Sequence, residues 1–192
     1  MNWFLDHGAD PNGRCSRDFT PLSTAVESAP FPVILKLIER GENIAQSQLL
    51  HHAALRELPD RIDVMKFLLD SDSENKESDS INHVMYQDNL NDYLSNMYSG
   101  IGTPLQFAAG KGSLDLVVLL IDRGADPLVK DPMGKTAVDW ASRRGHTNFI
   151  DFLNPLLVPS SPRQDFVDGP GLHFKATPLE HFFRSLRENG KL

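Results

Sequence analysis

The chain has 192 residues, which fits one or two ordinary domains, and carries a net charge of −7. Apolar residues make up 40% of it and charged residues 23%, as in a typical soluble globular protein. An acidic chain is a poor candidate for coating nucleic acid or an anionic membrane, because both tasks need a basic surface. The longest apolar run, Leu116 to Ile121, is far shorter than the roughly 20 residues of a membrane-spanning helix.

Cellular location is predicted from what the sequence lacks. The N-terminus has neither the basic nor the apolar stretch of a secretory signal, and one cysteine allows no internal disulfide. We therefore predict an intracellular protein, cytoplasmic or nuclear.

The first predicted element is a short helix from Asn2 to His7. Its apolar residues Trp3, Phe4 and Leu5 have no preceding helix to pack against. We expect a monomer or weak self-association through this uncapped helix, or a chain that is the C-terminal part of a longer array.

Two short motifs recur in a fixed phase. One is a glycine that follows a helical segment, at Gly8, Gly41 and Gly124. The other is a threonine followed by proline or alanine, at Thr20-Pro21, Thr103-Pro104 and Thr136-Ala137. The spacing from Gly8 to Gly41 equals that from Thr103 to Thr136, and the spacing from Gly8 to Thr20 equals that from Gly124 to Thr136. Independent motifs would not keep these offsets, so the pattern indicates a structural repeat.

Helix chemistry explains both motifs. A threonine hydroxyl accepts hydrogen bonds from the first turn of a helix, and proline is tolerated at the first helical position. Glycine suits the left-handed residue that follows a helix. Leu114, Val117, Val118 and Ile121 give the second helix of a unit an apolar stripe. Such short helices bury this stripe only when neighbouring units stack.

At these residues the chain resembles the ankyrin-repeat family, most clearly from Gly102 to Asp126. The resemblance covers most of residues 1–153. It implies an all-α solenoid of stacked helix–loop–helix units with short hairpin turns. It also implies that His51 is the family's helix-capping histidine, and that the protein binds other proteins, because the family is mostly non-catalytic.

The second full unit departs from the pattern. Gln48 replaces its threonine, its second helix is predicted from Ile62 to Asp70, and the stretch from Gln48 to Thr103 is much longer than one repeat. We predict an insertion at about 71–101, first acidic and then rich in tyrosine and methionine, with a helix near 88–98. The apolar stretch 84–98 either faces a ligand as a flap or packs back over the degraded unit.

The C-terminal part is predicted to cap the array. The array extends over 1–154, and 155–192 forms a linker and a capping helix. Thr177-Pro178-Leu179-Glu180 is a capping box, and the apolar stripe of the helix follows it at Leu179, Phe182, Phe183 and Leu186.

No arrangement of residues indicates catalysis. Cys15 lies beside two arginines, but no base is placed near it by the pattern. Asp70 to Glu74 begins like a calcium loop, yet Asn75 and Ile81 stand where its glycine and glutamate belong. We predict no catalytic residue, no metal site and no cofactor.

Partner-binding residues are predicted at the hairpin tips and on the outward face of the first helices, because stacking does not need these positions. The main candidates are Arg14, Arg17, Phe19, Phe107, Lys111, Met133, Trp140, Arg143 and Arg144. Further candidates are Asp18, Glu27, Arg56, Gln106, Lys130, Asp131 and Lys135.

The sequence thus predicts a non-catalytic adaptor, scaffold or regulatory subunit that binds protein partners and neither nucleic acid nor membrane. The alternative is a remnant or fragment of a larger ankyrin-containing protein without independent activity; an enzyme is a weaker alternative. For the adaptor, replacing Trp140 and Arg144 by alanine is expected to weaken partner capture and leave the fold intact.

Overall fold

A computed structural model describes residues 6–8, 10, 12–13, 19–41, 48–72 and 80–146. These residues form eight α-helices, one short 3₁₀ helix and no strand, so the predicted all-α class is confirmed. The helices are α1 (Pro21–Ser28), α2 (Phe31–Glu39), α3 (Leu49–Leu55), α4 (Arg61–Asp72), α5 (Leu90–Asn96), α6 (Pro104–Lys111), α7 (Leu114–Asp122) and α8 (Ala137–Arg143). Most of the predicted N-terminal helix and all of the predicted C-terminal helix lie outside the described residues.

The helices pair and the pairs stack in a row. α1 packs on α2, α3 on α4, and α6 on α7, and the first helices contact one another in the order α1, α3, α6, α8. One cluster of buried apolar side chains runs from Leu22 in α1 to Ala141 in α8. Ala108 and Ala109 are fully buried where α6 meets its neighbours, because their small side chains let the helices approach closely.

Local chemistry sets the ends of these helices. Thr20 Oγ1 accepts from the backbone N–H of Ser23 at 3.1 Å, and the Ser23 hydroxyl accepts from the N–H of Thr20 at 2.9 Å. Thr103 and Thr136 form the same reciprocal caps. Gly41 and Gly124 follow their helices with φ of 92° and 94°, which favours glycine.

Comparison of two equivalent hairpins shows where the predicted insertion lies in the repeat. The N–H of Asp131 donates to the carbonyl of Lys135 at 2.9 Å, and the N–H of Met85 donates to that of Gly102 at 3.0 Å. Lys135 and Gly102 each directly precede a capping threonine, so the two pairings are equivalent. Residues 132–134 lie between the paired positions in one hairpin, and residues 86–101 lie there in the other. Much of the extra length therefore forms an enlarged hairpin tip. A further part extends α4 to Asp72, beyond the predicted end at Asp70.

The enlarged tip packs back on the array with one side, which is one of the two alternatives that the sequence left open; the ligand-facing flap stays a prediction. Val84, Met85, Tyr86 and Ile101 are buried in a small cluster, so this part packs back on the array. α5 lies inside the predicted helical range and continues toward Tyr98. Its outer side carries the exposed apolar residues Leu90 and Leu94, and exposed Tyr98 lies in the turn that follows the helix.

Candidate protein-binding surface

An edge-to-face row of aromatic rings crosses the first helices. The ring centroids of His51 and Phe107 are 6.2 Å apart, and those of Phe107 and Trp140 are 5.3 Å apart. Phe107 and Trp140 each lie one helical turn after the capping threonine of their unit. Both are half-buried, so stacking of neighbouring units uses much of their surface.

Trp140 is also fixed by a hydrogen bond. Its indole N–H donates to Asp131 Oδ2 at 2.9 Å, while Asp131 Oδ1 accepts from the N–H groups of Met133 and Lys135. The ring lies so close to Gly102 and Gly110 that a Cβ there would be 3.0–3.1 Å from it. Asp131, predicted as a contact residue at the tip, is buried and organises the hairpin. This geometry argues against the expectation that Trp140 can be truncated with the fold unaffected.

Arg56 was predicted to face outward, and that prediction is wrong. Its side chain is 1% exposed and donates to the carbonyls of Val26 at 2.7 Å and Ala29 at 2.8 Å. Two further bonds of 2.8 Å join it to the carboxylate of Asp60. The guanidinium thus closes the C-terminal end of α1, where free carbonyls favour a cation.

Gln106 was also predicted to face outward but is 1% exposed. Its Oε1 accepts from the N–H of Thr103 at 2.8 Å. Its Nε2 donates to the carbonyls of Val129 and Lys135, each at 2.9 Å. Gln106 therefore fastens α6 to the following hairpin.

His51 occupies in α3 the position that Gln106 has in α6. Its Nε2 contacts the carbonyl of His83 at 2.9 Å, and His83 matches Val129 in the equivalent hairpin. Burial lowers the pKa of His51 to about 4, so the ring is neutral at pH 7 and Nε2 donates. Nδ1 has no hydrogen-bond partner among the described residues. In α3 the helix begins after Gln48 without a side-chain cap, which removes the reciprocal bond made in the other units.

A second histidine joins the first two units. His52 Nδ1 lies 3.1 Å from Glu27 Oε2, and the ring of Phe19 meets its edge at 5.1 Å between centroids. Burial lowers the pKa of His52, although the bond to Glu27 opposes that shift. Phe19, a predicted contact residue, is half-buried by this arrangement.

Several predicted contact residues are exposed. Lys111 forms an ion pair with Glu57, and this bond lowers the pKa of the Glu57 carboxyl. Met133, Arg143 and Arg144 present their side chains to solvent, as do Lys130 and Lys135. Arg14, Arg17 and Asp18 lie outside the described residues.

The exposed apolar side chains are concentrated at the hairpins. Six large hydrophobic residues are exposed in the described part of the chain, and five of them lie on the two hairpins, with Leu35 on α2 as the sixth. We call these five the tip edge: Leu90 (68% exposed), Leu94 (53%), Tyr98 (79%), Leu128 (52%) and Met133 (54%). Asn82 joins the two hairpins, because its Oδ1 accepts from the N–H of Asp126 at 2.8 Å.

Comparison with models of known protein families identifies the family of this chain. A family model described as ankyrin repeats (3 copies) matches residues 50–156, more than half of the chain. The chain belongs to the ankyrin-repeat family. The stacked pairs and reciprocal caps are therefore those of an ankyrin array, and the resemblance inferred from the motifs is confirmed.

The ankyrin chain is similar to parts of larger plant proteins. "Probable E3 ubiquitin-protein ligase XBOS33" of Oryza sativa subsp. japonica is 41% identical over 80 residues, which is 41% of this chain and 15% of the relative. "E3 ubiquitin-protein ligase XBAT33" of Arabidopsis thaliana is 38% identical over 80 residues, with the same two shares. "Putative E3 ubiquitin-protein ligase XBAT34" of the same plant is 42% identical over 62 residues, or 32% of this chain and 16% of the relative. Matches this partial assign no enzymatic activity to the ankyrin chain.

Two further findings concern other kinds of site. Among the residues that the structure describes, no group of three or more histidine, cysteine or acidic side chains is arranged to hold a metal ion. No helix within the described ranges is long and apolar enough to cross a membrane.

The main feature that sequence reasoning missed is the tip edge. Leu128 was not among the candidates, and the residues of α5 were not separated into a buried and an exposed side. The spacing of Leu90, Leu94 and Tyr98, one helical turn apart, was the available signal.

Proposed function

We propose that this ankyrin array is a non-catalytic protein-binding module, serving as an adaptor, scaffold or regulatory subunit. The observation that carries the proposal is the concentration of exposed large apolar side chains at the tip edge. Clustered exposed apolar surface on a soluble protein marks a binding site more often than isolated residues do.

The proposed partner-binding residues include both exposed and half-buried side chains. In this proposal Met133 supplies apolar contact, and Lys111, Arg143 and Arg144 supply charge at the exposed ends of the first helices. Phe19, Phe107 and Trp140 offer only part of their ring surface, since each is half-buried. Arg14 and Arg17 stay proposed contacts on the strength of the sequence pattern alone.

The experiment is affinity capture from the native cell with the full chain as bait. A Met133→Asn/Arg144→Ala variant is compared with Leu35→Asn, which changes an exposed apolar residue outside the hairpins. We expect the first variant to lose at least one protein that the wild type and Leu35→Asn both retain. Equal capture by all three baits would contradict the proposed site.

A second candidate function comes from the relatives, whose names are those of ubiquitin ligases. In it the array is the protein-binding portion of a larger protein that acts in ubiquitin ligation. Captured proteins that carry ubiquitin in cells with the gene, and lose it when the gene is deleted, would support this function. Unchanged ubiquitination would leave the adaptor function as the proposal.

A further inference from the structure

The α5 stripe, which consists of Leu90, Leu94 and Tyr98, is the most exposed apolar surface of the described chain. These residues are 68%, 53% and 79% exposed. The opposite side of the helix is occupied, because Tyr93 packs against the cluster of Val84–Tyr86 and Ile101. α5 is therefore anchored on one side and open on the other, and together with the turn that carries Tyr98 the open side extends over about 12 Å.

The C-terminal segment has a matching apolar stripe. Residues 178–187 follow a capping box, and Leu179, Phe182, Phe183 and Leu186 recur at helical spacing over about 10 Å. We propose that this segment docks on the α5 stripe of the same molecule.

Charge favours α5 over the last unit as the docking site. Residues 80–101 contain Asp88 and Asp92 and no lysine or arginine. Residues 173–192 carry four basic residues (Lys175, Arg184, Arg187 and Lys191) against two glutamates.

The last described unit has the opposite character. Its exposed basic side chains are Lys130, Lys135, Arg143 and Arg144. One exposed carboxylate, that of Asp139, accompanies these four basic side chains, so positive charge is in excess on this surface. A basic tail is therefore attracted to the surface around α5 and repelled by the last unit.

The connecting chain is long enough. Residues 147–177 separate the described array from the segment. A chain of this length spans roughly 100 Å when extended. The segment can therefore reach both the α5 stripe and the last unit, and the length of the connection favours neither. A docked tail covers three of the five residues of the tip edge, and a partner at that edge must displace it.

The test uses the full chain with the photoreactive residue p-benzoylphenylalanine in place of Leu94. The matched control carries it in place of Met133, which has nearly the same exposure, 54% against 53%, but lies on the basic hairpin. After irradiation, mass spectrometry of digested monomer identifies the linked peptides. We expect adducts to residues 173–192 from position 94, with a yield that does not change on dilution, and far fewer from position 133.

Three results would overturn the proposal. The first is no adduct to the tail from position 94. The second is an equal yield from positions 94 and 133, which indicates a tail that touches the array at random. The third is adducts that disappear on dilution, which assign the α5 stripe to a second copy of the chain.

A charge reversal gives an independent readout. Arg184→Glu with Arg187→Glu is expected to lower the adduct yield from position 94 roughly two- to fivefold, the range of an exposed ion pair. Adding Asp88→Lys and Asp92→Lys should restore it. The charge change removes the bond from Asn89 Nδ2 to the Asp92 carboxylate, but Asn89 Oδ1 still accepts from the backbone N–H of residue 92 and caps α5. An unchanged yield in the first variant, or no recovery in the second, would refute docking by charge.

Discussion

Arg56 joins the first two units from the interior. It lies in the interior, satisfies carbonyls at the end of α1, and is neutralised by Asp60. Two units that share such a group are joined by more than apolar contact. The same arginine, had it faced solvent, would contribute little to stability.

Replacing Arg56 by methionine tests this role. The change leaves the α1 carbonyls and Asp60 without their cation, so we expect the free energy of unfolding to fall by about 3 kcal/mol. Arg61→Met is the control, because its pair with Asp115 is at the surface, with side-chain exposures of 34% and 39%. Urea unfolding should show a loss below about 1 kcal/mol for the control. Equal losses would mean that the buried bonds add nothing.

His51 predicts a dependence of stability on pH. Burial lowers its folded-state pKa from 6.5 to about 4, so the unfolded chain takes up the proton first. Neutral His51 makes its full contribution to the free energy of unfolding above pH 6.5. About 3 kcal/mol of that free energy is lost as the pH falls from 6.5 to 4. His51→Gln should remove this part of the pH dependence and keep the bond to the His83 carbonyl, as Gln106 does with Val129. Urea unfolding at several pH values measures the difference, and parallel pH profiles would exclude the assignment.

At the scale of elements, the equivalent hairpins explain how the array accepts extra residues. The pairing of Met85 with Gly102 is kept, and the chain leaves and returns at the same two positions as in the shorter hairpin. α3 packs directly on α6, so we expect this stacking to be independent of the length of the tip. Long insertions at such positions have a small entropic cost, which rises only with the logarithm of their length.

Replacing residues 86–101 by the tip of the other hairpin, Pro-Met-Gly, tests this independence. We expect the array to stay folded with its helices intact and to lose roughly 2 kcal/mol, because the burial of Tyr86 and Ile101 is lost while closing a shorter loop offsets part of that loss. Circular dichroism and urea unfolding measure both quantities. A variant without cooperative unfolding would show that the tip is part of the folding core.

Trp140 is a proposed contact residue that also packs between neighbouring units. Its ring packs on Phe107 and lies against the glycines of the preceding unit. We expect Trp140→Ala to lower the free energy of unfolding by about 3 kcal/mol, near the lower end for a truncated aromatic residue because the ring is only half-buried. Thermal unfolding checks this value. A Tm equal to that of the wild type would restore the sequence-based expectation that the residue serves binding alone.

At the scale of the whole molecule, the sequence predicted what depends on local chemistry. Each threonine cap, terminal glycine and apolar stripe is defined by residues that lie close together in the sequence. The repeat and the all-α class could therefore be predicted from them. The burial of Arg56 and Gln106 did not follow. Their hydrogen-bond partners, such as Val26 and Val129, lie in other helices or hairpins, far along the chain, and become neighbours only when the units stack.

The candidate surface was predicted less completely than the fold. Met133, Arg143 and Arg144 were placed correctly on the exterior, since hairpin tips and helix ends are exposed in any stacked array. Leu128 and the exposed side of α5 were missed. Which side of a short inserted helix faces the array depends on the cluster around Tyr86, and no periodic pattern specifies that cluster.

Hydrogen exchange measured by mass spectrometry, on the full chain alone and bound to a captured partner, tests the central claim most directly. If the tip edge binds, exchange should slow in residues 128–134 and speed up in the displaced residues 173–192. Residues 86–101 are covered in both states, first by the tail and then by the partner, and α2, α4 and α7 should be unchanged. Slowed exchange in those second helices, with residues 128–134 unaffected, would contradict the account.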